Sequence, residues 1–222
     1  MPSQKSTIFE ILDECRHGII SKMALYDSYD EGHDFPWDNH LWRGDRFRRA
    51  HLDVVDLRDT RKLYMMHLCI FPHVNDAAPI FGFDLIAGPN KVTGAFHDFS
   101  PVTDGHQMIQ WFMDKVAEYE WSKERELPHW AKQIFSGGMV AAGNISDPEE
   151  LKRVTALVSE TLEYYLENVG SQDVSSDFTK QQNNYCYWQK HNPHTPRVMD
   201  SLGFEPALVA RFIQECLFPE IE

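Results

Sequence analysis

The sequence lacks long apolar runs, paired cysteines and the common nucleotide-binding signatures. No apolar run approaches the roughly 20 residues that a membrane-spanning helix needs. The four cysteines are scattered singly rather than in the C-x-x-C spacing of zinc and iron–sulfur ligands. G-x-G-x-x-G, the P-loop, G-x-S-x-G and H-E-x-x-H are also absent. We therefore expect no membrane span and no metal, nucleotide or redox cofactor held by a recognisable motif.

The sequence also lacks a signal peptide and a general excess of basic charge. The N-terminus, MPSQKSTIFEILDECRHGII, has no basic region followed by an apolar core and a cleavage site, so we expect a cytoplasmic protein. The net charge of −13 argues against nucleic-acid binding, because such proteins carry a basic face. With 222 residues, 42% of them hydrophobic, the chain is long enough for one globular domain over residues 1–222.

Positive charge is concentrated in one stretch of this acidic chain. Its members are Arg43, Arg46, Arg48, Arg49, Arg58, Arg61 and Lys62. Such a cluster favours an anionic partner or substrate. A solvated strand edge, where positive charge blocks pairing with other chains, explains it equally well. Both interpretations stay open at this point.

Four consecutive segments are rich in Val, Ile, Leu, Phe, Tyr and Met and are separated by turn residues: 47–57, 62–71, 79–87 and 91–98. The links at 58–61 and 88–90 are typical of hairpins, and the link at 72–78 is too short for a helical crossover. We therefore expect antiparallel neighbours. The third segment is apolar on both faces, which predicts a sheet covered on both sides.

Helical periodicity predicts the layers that cover this sheet. Apolar residues at helical spacing indicate helices over 7–20, 105–121, 126–136, 147–169, 177–191, 194–202 and 206–217. The longest has Ser146 as its expected cap and Pro148 in its first turn. A short strand over 22–29 and a loop over 30–42 complete the pattern. The fold class is therefore α+β, a three-layer α/β/α sandwich around a central antiparallel sheet.

Three of these apolar strands carry ionisable residues. His51 and Asp53 lie two apart on the first strand and share a face, because a strand alternates faces at every residue. His67 and Asp84 lie in the middle of the second and third strands. Each residue alone is more often a hydrogen-bonded structural group than a catalyst. Four of them on adjacent strands favour a proton-handling site, since unpaired charge in a strand core is costly.

Five separated segments, in the same order, resemble the ferredoxin-dependent bilin reductases: MHLCIFP, FGFDLIAGP, RELPHWAKQIFS, NYCYWQKHNPHTPRVM and QECLFPEI. The resemblance runs from about Arg49 to the C-terminus and is closest to the phycocyanobilin-forming branch. It implies an α/β/α sandwich that binds biliverdin IXα between the sheet and the C-terminal helices, with no bound cofactor. It also implies that electrons arrive singly from reduced 2Fe–2S ferredoxin, that the bilin passes through radicals, and that the protein supplies the protons.

The resemblance also implies roles for individual residues. Asp84 in FGFD corresponds to the central proton-donating aspartate, and His67 in MHLCIFP to the catalytic histidine on the lactam side of the bilin. His51 is similar to a second pocket histidine, and Arg125 to an arginine that pairs with a propionate. His194 stands where that branch usually has a propionate-binding lysine. The other substrate contacts that the resemblance implies are Gln189, Asn192 and Val198.

Asp53 is the departure from that branch. The resemblance implies a pattern like HLE here, whose glutamate helps to protonate the D-ring vinyl group. The aspartate of HLD is shorter by one methylene, about 1.5 Å, and a misplacement of about 1 Å can slow a reaction about 100-fold. We hypothesise that reduction goes instead to the C15 bridge and the A-ring. The product is then phycoerythrobilin, formed by way of 15,16-dihydrobiliverdin, as in the compact phage-associated synthases of the branch. In the alternative, Asp53 helps to protonate the D-ring vinyl group as the glutamate does, and the product is phycocyanobilin.

The expected partners are ferredoxin and the bilin, and the protein itself is expected to be a monomer. Ferredoxin is acidic, so docking on this chain calls for a local basic surface, for which the candidates are Arg43, Arg46, Arg48 and Lys132. Two other functional classes stay open. A non-catalytic bilin carrier would bind biliverdin and leave its spectrum unchanged under reduced ferredoxin. A metal-dependent hydrolase would draw on the 11 histidines but lacks a ligand motif.

Overall fold

A seven-stranded antiparallel sheet forms the centre of the computed structural model, which describes residues 7–222. Each strand pairs with the next one along the chain, so the spatial order is the sequence order. The antiparallel pairing expected for the four apolar segments is confirmed. The strands are β1 Asp27–Tyr29, β2 Asp38–Arg43, β3 Phe47–Leu57, β4 Leu63–Pro72, β5 Ile80–Ala87, β6 Val92–Ser100 and β7 Val140–Ile145.

Tight turns join the long central strands. Between β3 and β4 the chain reverses over 58–62, where Lys62 has a φ of 56°, in the left-handed region. Between β5 and β6, the amide of Gly88 donates a hydrogen bond to the carbonyl of Lys91 at 2.9 Å and closes the second turn. Connections this short leave no room for a crossover, so the joined strands are antiparallel.

Six α-helices lie among residues 7–222: α1 Thr7–Met23, α2 Gln107–Val116, α3 Pro148–Asn168, α4 Thr179–Lys190, α5 His194–Ser201 and α6 Pro206–Arg211. A π-helical segment, Phe212–Leu217, continues α6. Helix α3 has Pro148 in its first turn as predicted, but its cap is Asp147 rather than Ser146. The Asp147 carboxylate accepts a hydrogen bond from the amide of Glu149 at 3.0 Å. None of the helices in this range combines the length and the apolarity that crossing a bilayer requires.

The helices cover both faces of the sheet. Helices α1, α2 and α3 pack on the face that carries Leu52, Leu68 and Phe83 and form the larger core with it. Helices α4 to α6 and the π-helical segment pack on the other face, against Cys69 and Phe71. The predicted α+β fold, a three-layer α/β/α sandwich, is therefore confirmed. We call the second face the site face, because it carries the ionisable residues described below.

The larger core contains one buried histidine that ties α3 to the sheet. His97 Nδ1 lies 2.7 Å from the carbonyl oxygen of Gly82, and His97 Nε2 lies 2.7 Å from Oγ1 of Thr161 on α3. Burial lowers the pKa of His97 to about 4, so the ring is neutral near pH 7. A neutral ring that donates from Nδ1 to Gly82 accepts at Nε2 from the Thr161 hydroxyl.

The structure differs from the sequence predictions in four places. The predicted loop over 30–42 contains the start of β2, and β7 lies where no strand is predicted. The predicted helix over 126–136 is reduced to a 3₁₀ turn, Ala131–Gln133. Helix α1 extends to Met23, which shortens the strand expected over 22–29 to β1. Strands β2 and β7 have few β-branched residues, and their strand state follows from pairing with β3 and β6.

Replacing Thr161 with valine is expected to lower the free energy of unfolding by about 1–3 kcal/mol, because His97 Nε2 then stays buried without a donor. Urea denaturation near pH 7 measures the change. Thr155→Val, on the same helix and nearer to solvent, is the matched control and should change the free energy by less than about 0.5 kcal/mol. Equal stabilities for the two variants would contradict the assigned hydrogen bond.

Candidate active site

Asp53, His67 and Asp84 form a row across three neighbouring strands of the site face. In the observed register Asp53 of β3 lies directly opposite His67 of β4, and His67 lies directly opposite Asp84 of β5. Residues directly opposite each other in antiparallel strands point to the same face, with Cβ atoms about 5 Å apart. His51 lies two residues before Asp53 and shares this face. The sheet therefore brings together the four residues that the sequence singled out.

The carboxylate of Asp53 and the imidazole of His67 form the closest pair in the row. Asp53 Oδ1 lies 3.3 Å from His67 Nδ1. Burial raises the pKa of Asp53, and this effect outweighs that of the nearby His67, which lowers the pKa. Burial also lowers the pKa of His67, but Asp53 and then Asp84 overcome this effect, so the pKa of His67 is raised overall. Each of the two groups therefore holds a proton more readily than it would in water.

Asp84 is placed to act as a carboxylic acid near neutral pH. Burial raises the pKa of Asp84 to about 6; the charge of His67 lowers it and that of Asp53 raises it. Its chain neighbours Phe83 and Leu85 lie in the larger core on the opposite face of the sheet. They cannot supply the apolar surroundings of Asp84, so these come from the site face and the helices over it. A carboxyl group with such a pKa can give up a proton to a base in the same cavity.

His51 is neutral, and its hydrogen bonding is defined by Asn39 of β2. His51 is fully buried, and burial holds its pKa well below the ordinary value. His51 Nε2 lies 3.0 Å from Asn39 Oδ1, while Asn39 Nδ2 donates to the carbonyl of Trp37 at 3.1 Å. The amide oxygen of Asn39 therefore faces the histidine, and Nε2 is the protonated nitrogen. The sequence analysis missed Asn39, because it lies in the segment that was predicted to be a loop.

Tyr185 and Gln189 of α4 reach the sheet beside the row. Gln189 Nε2 donates to Tyr185 Oη at 2.8 Å. Tyr185 Oη lies 3.4 Å from the position that a Cβ on Gly82 would occupy, and Gly82 precedes Asp84 by two residues on the same face. The tyrosine hydroxyl therefore lies over Gly82, at a distance that a side chain there would meet as an ordinary van der Waals contact. From the C-terminal segment, the ring of Phe218 meets that of His67 edge-on, with centroids 5.7 Å apart.

Arg125 lies at the far end of the row, over a glycine pair. Gly94 of β6 is directly opposite Gly143 of β7. A Cβ on Gly143 would lie 2.9 Å from Arg125 Nε, and one on Gly94 would lie 3.3 Å from Arg125 Nη1. The guanidinium is also 5.8 Å from the centroid of the Phe96 ring, and Phe96 is the residue opposite Asp84 on β6. The two glycines thus make room for an exposed positive charge beside the row.

The other predicted substrate contacts lie in the outer helical layer. Asn192 Oδ1 accepts a hydrogen bond from the amide of His194 at 2.9 Å, so this side chain helps to begin α5. His194 is exposed, and Val198 is half-buried on the same helix. Within residues 7–222, no hydrogen bond joins these three residues to the row, whereas Gln189 is bonded to Tyr185 beside it. Their roles in substrate binding stay predictions.

Another buried carboxyl group on the site face, Asp98, was not singled out from the sequence. Asp98 lies opposite Gly82 on the site face and accepts hydrogen bonds from the hydroxyl of Ser100 at 2.8 Å and the amide of Ser136 at 3.0 Å. Burial raises the pKa of Asp98 to about 6. Because these bonds attach the 3₁₀-turn segment before β7 to the sheet, the role of Asp98 is to position that segment.

Three of the four predicted docking residues are exposed: Arg43, Arg46 and Lys132. Arg46 donates to the carbonyl of Glu167 at 2.8 Å, at the end of α3. Arg48 is half-buried, donates to Gln182 Oε1 at 2.8 Å, and lies over the Phe71 ring at 4.6 Å. Because its guanidinium points inward, Arg48 is a poor candidate for direct contact with a partner.

The family model for ferredoxin-dependent bilin reductases matches residues 13–219, almost the whole chain. This chain belongs to that family. The bilin reductase is therefore an oxidoreductase, as its motifs predicted. It is 32% identical to the phycocyanobilin:ferredoxin oxidoreductase of Synechococcus sp. (strain CC9605) over 200 residues, which cover 85% of this chain and 78% of that protein. It is 26% identical to the protein of the same name from Trichodesmium erythraeum (strain IMS101), with the same coverage of 85% and 78%.

Two solved structures share the fold of this bilin reductase. A protein named PcyX matches with a TM-score of 0.66 and 30% identity, over 95% of this chain and 99% of that one. Phytochromobilin synthase from tomato, solved in complex with biliverdin, matches with a TM-score of 0.70 over 93% of this chain and 82% of that one. The identity to the tomato protein is 13%, so this likeness concerns the fold alone.

The half-buried carboxyl group of Asp84 predicts a pH-dependent difference in stability between the bilin reductase and its Asp84→Asn variant. The folded-state pKa of about 6 lies above the ordinary value of 3.8, so the folded protein holds this proton more tightly than the unfolded chain. The stability that the group contributes is present below about pH 4 and is lost as the pH rises to about 6. The loss has an upper limit of about 3 kcal/mol, which partial solvent access reduces.

Asp84→Asn should therefore gain stability relative to the wild type between pH 4 and pH 6. Urea denaturation at several pH values measures the difference. The matched control is Asp200→Asn on the exposed surface of α5, for which the difference should be small throughout. A difference in stability between Asp84→Asn and the wild type that does not vary with pH would show that the surroundings of the carboxyl group do not raise its pKa.

Proposed function

We propose that this bilin reductase reduces biliverdin IXα by four electrons, with reduced 2Fe–2S ferredoxin as the electron donor. The observation that carries the proposal is the row of Asp53, His67 and Asp84 on the site face, under the helices α4 to α6. Membership of the family supports the reaction class and the donor. The tomato relative, which was solved with biliverdin, supports the choice of substrate.

The row supplies protons to a substrate that takes up electrons one at a time. Each electron makes the bilin more basic, so a proton must follow it. Asp84 is the first proton donor in this proposal, because its raised pKa keeps part of the population protonated near pH 7. His67 is the second donor, and Asp53 stabilises its protonated form from 3.3 Å. Arg125 pairs with a bilin propionate at the edge of the sheet.

Two four-electron products are candidates, and each has its own support. The curated relatives act as phycocyanobilin:ferredoxin oxidoreductases by name and align over most of the chain, which favours phycocyanobilin. The side chain at position 53 favours phycoerythrobilin. Asp53 is one methylene shorter than glutamate, its carboxylate lies 3.3 Å from His67 Nδ1, and it stands at the β3 end of the row. In that case 15,16-dihydrobiliverdin is the intermediate.

Anaerobic turnover of biliverdin with reduced ferredoxin tests the proposal directly. The wild type should consume biliverdin, and chromatography identifies the product. An unchanged biliverdin spectrum would indicate a carrier rather than an enzyme. Asp84→Asn and His67→Gln should still bind biliverdin but lose about 10²–10⁴-fold in rate and stall at a radical or a partly reduced bilin. Asp45→Asn and His17→Gln, both exposed, are the matched controls. Full turnover by either site variant would remove that residue from the mechanism.

Asp53→Glu tests the choice of product. If the wild type makes phycoerythrobilin, the longer acid should restore protonation of the D-ring vinyl group and move product toward phycocyanobilin, because it regains about 1.5 Å of reach. Chromatography of the two product mixtures measures the shift. If the wild type already makes phycocyanobilin, the hypothesis on Asp53 is wrong.

Ferredoxin docking is expected to use the exposed cations Arg43, Arg46 and Lys132. Turnover driven by ferredoxin should slow as ionic strength rises, because salt screens attraction between opposite charges. Arg43→Glu and Lys132→Glu should each raise the KM for ferredoxin by about tenfold and leave the KM for biliverdin unchanged. Arg153→Glu, on the exposed side of α3 under the opposite face, is the control. Rates that do not respond to salt would exclude this surface.

A further inference from the structure

The site face holds three potential metal ligands within one small volume. His51, Asp53 and His67 each offer one ligand atom, and these atoms all lie within 4.8 Å of one another. Two imidazoles and one carboxylate form a common ligand set for zinc and other transition metals, with the remaining position open to water. The sequence did not indicate this set, because the residues lie on two strands and match no ligand spacing.

The same three side chains each carry a buried atom that lacks a hydrogen-bond partner within residues 7–222: His51 Nδ1, Asp53 Oδ1 and His67 Nδ1. His51 is fully buried and Asp53 is 3% exposed. The 3.3 Å between the atoms of Asp53 and His67 is an ion-pair distance whose angles do not make a hydrogen bond. Buried polar atoms without hydrogen bonds are uncommon and costly, so these three atoms, two of which form the Asp53–His67 ion pair, indicate a site for a ligand.

The neighbouring residue Asn39 prepares His51 to act as a ligand. Because the amide oxygen of Asn39 accepts from His51 Nε2, the proton sits on Nε2 and the lone pair on Nδ1. Metal-binding histidines characteristically donate their second ring nitrogen to an oxygen acceptor in this way, which sets the tautomer and the ring orientation. Asn39 is in turn oriented by its bond to the carbonyl of Trp37.

A second candidate cluster is less suited to a cation. Glu31, His33 and Cys216 also place one ligand atom each within 4.8 Å of one another. Both carboxylate oxygens of Glu31, however, accept hydrogen bonds from the guanidinium of Arg49, at 3.0 and 2.9 Å. A metal ion there would face a buried positive charge and compete with two existing bonds. The His51–Asp53–His67 set has no arginine or lysine bonded to its ligand atoms.

We propose that His51, Asp53 and His67 bind a divalent transition-metal cation such as Zn²⁺ when no bilin is present, and that this cation and the bilin exclude each other. On binding, the metal forms bonds to a nitrogen of each histidine and to the Asp53 carboxylate, and His67 releases its proton to solvent. The metal is an inhibitor and takes no part in the reaction. The site itself does not rest on the proposed function; only its competition with the bilin does.

Titration of the full-length, bilin-free protein with Co²⁺ tests the site, because tetrahedral Co²⁺ gives strong visible bands. One Co²⁺ per chain should bind with such bands, and added Zn²⁺ should displace it. His51→Gln and Asp53→Asn should each weaken binding by at least about 100-fold, and Asn39→Ala by about 10–100-fold. The exposed His17→Gln should bind like the wild type. Circular dichroism of each variant shows whether loss of binding reflects loss of folding.

Two outcomes would overturn the proposal. One is the absence of a visible Co²⁺ complex in the folded wild type. The other is a sulfur-to-cobalt charge-transfer band that Cys216→Ser removes and His51→Gln leaves unchanged, since this would place the metal at the Glu31–His33–Cys216 cluster. The second condition is needed because Cys216 Sγ also lies 3.5 Å from His51 Nε2. Competition is tested separately, as a rise in the apparent Kd for biliverdin with Zn²⁺ concentration. Because Zn²⁺ can also bind free biliverdin, the rise must disappear in His51→Gln; a rise that persists would assign the competition to the pigment alone.

Discussion

The antiparallel register of β3, β4 and β5 is the constraint on which the rest of the site depends. It sets Asp53, His67 and Asp84 directly opposite one another, so that two acids and an imidazole meet on one face. A shift of one residue in any of these pairings would turn a strand over and bury its ionisable side chain in the larger core. The turn over 58–62 fixes the pairing of β3 with β4, because a connection this short allows no change of register. The longer link over 73–79 joins β4 to β5, so the register of these two strands depends on their own pairing.

The register also gives the two faces of the sheet different roles. The face under α1, α2 and α3 is an apolar core, in which His97 stays neutral and bonds α3 to the sheet. The other face buries ionisable groups, which costs stability, and the apolar face supplies the stability that offsets it. Burial is also what makes the site useful, since it moves the pKa of Asp84 to about 6 and keeps His51 neutral.

Small residues and side-chain anchors shape the surroundings of the row. Tyr185 lies over Gly82, and the Gly94–Gly143 pair leaves room for Arg125. Asp98 attaches the segment before β7 to the site face through Ser136. These contacts cover the row on one side and place a positive charge at its edge. This arrangement is suited to the proposed substrate, a long bilin with carboxylate side chains.

The sequence by itself determined the fold class, the four central strands, the longest helix and the shared face of His51 and Asp53, because alternation and short turns are local signals. The register of the strands then added His67 and Asp84 to that face. It did not determine β2 and β7, whose residues become strands only through their neighbours. It also could not show that Asn39 orients His51 or that Arg48 points inward. Nor could it show that the apolar surroundings of Asp84 come from the helices over the site face, while Phe83 and Leu85 lie on the other face of the sheet. Only the tertiary structure decided these points, because each depends on contacts between segments far apart in the chain.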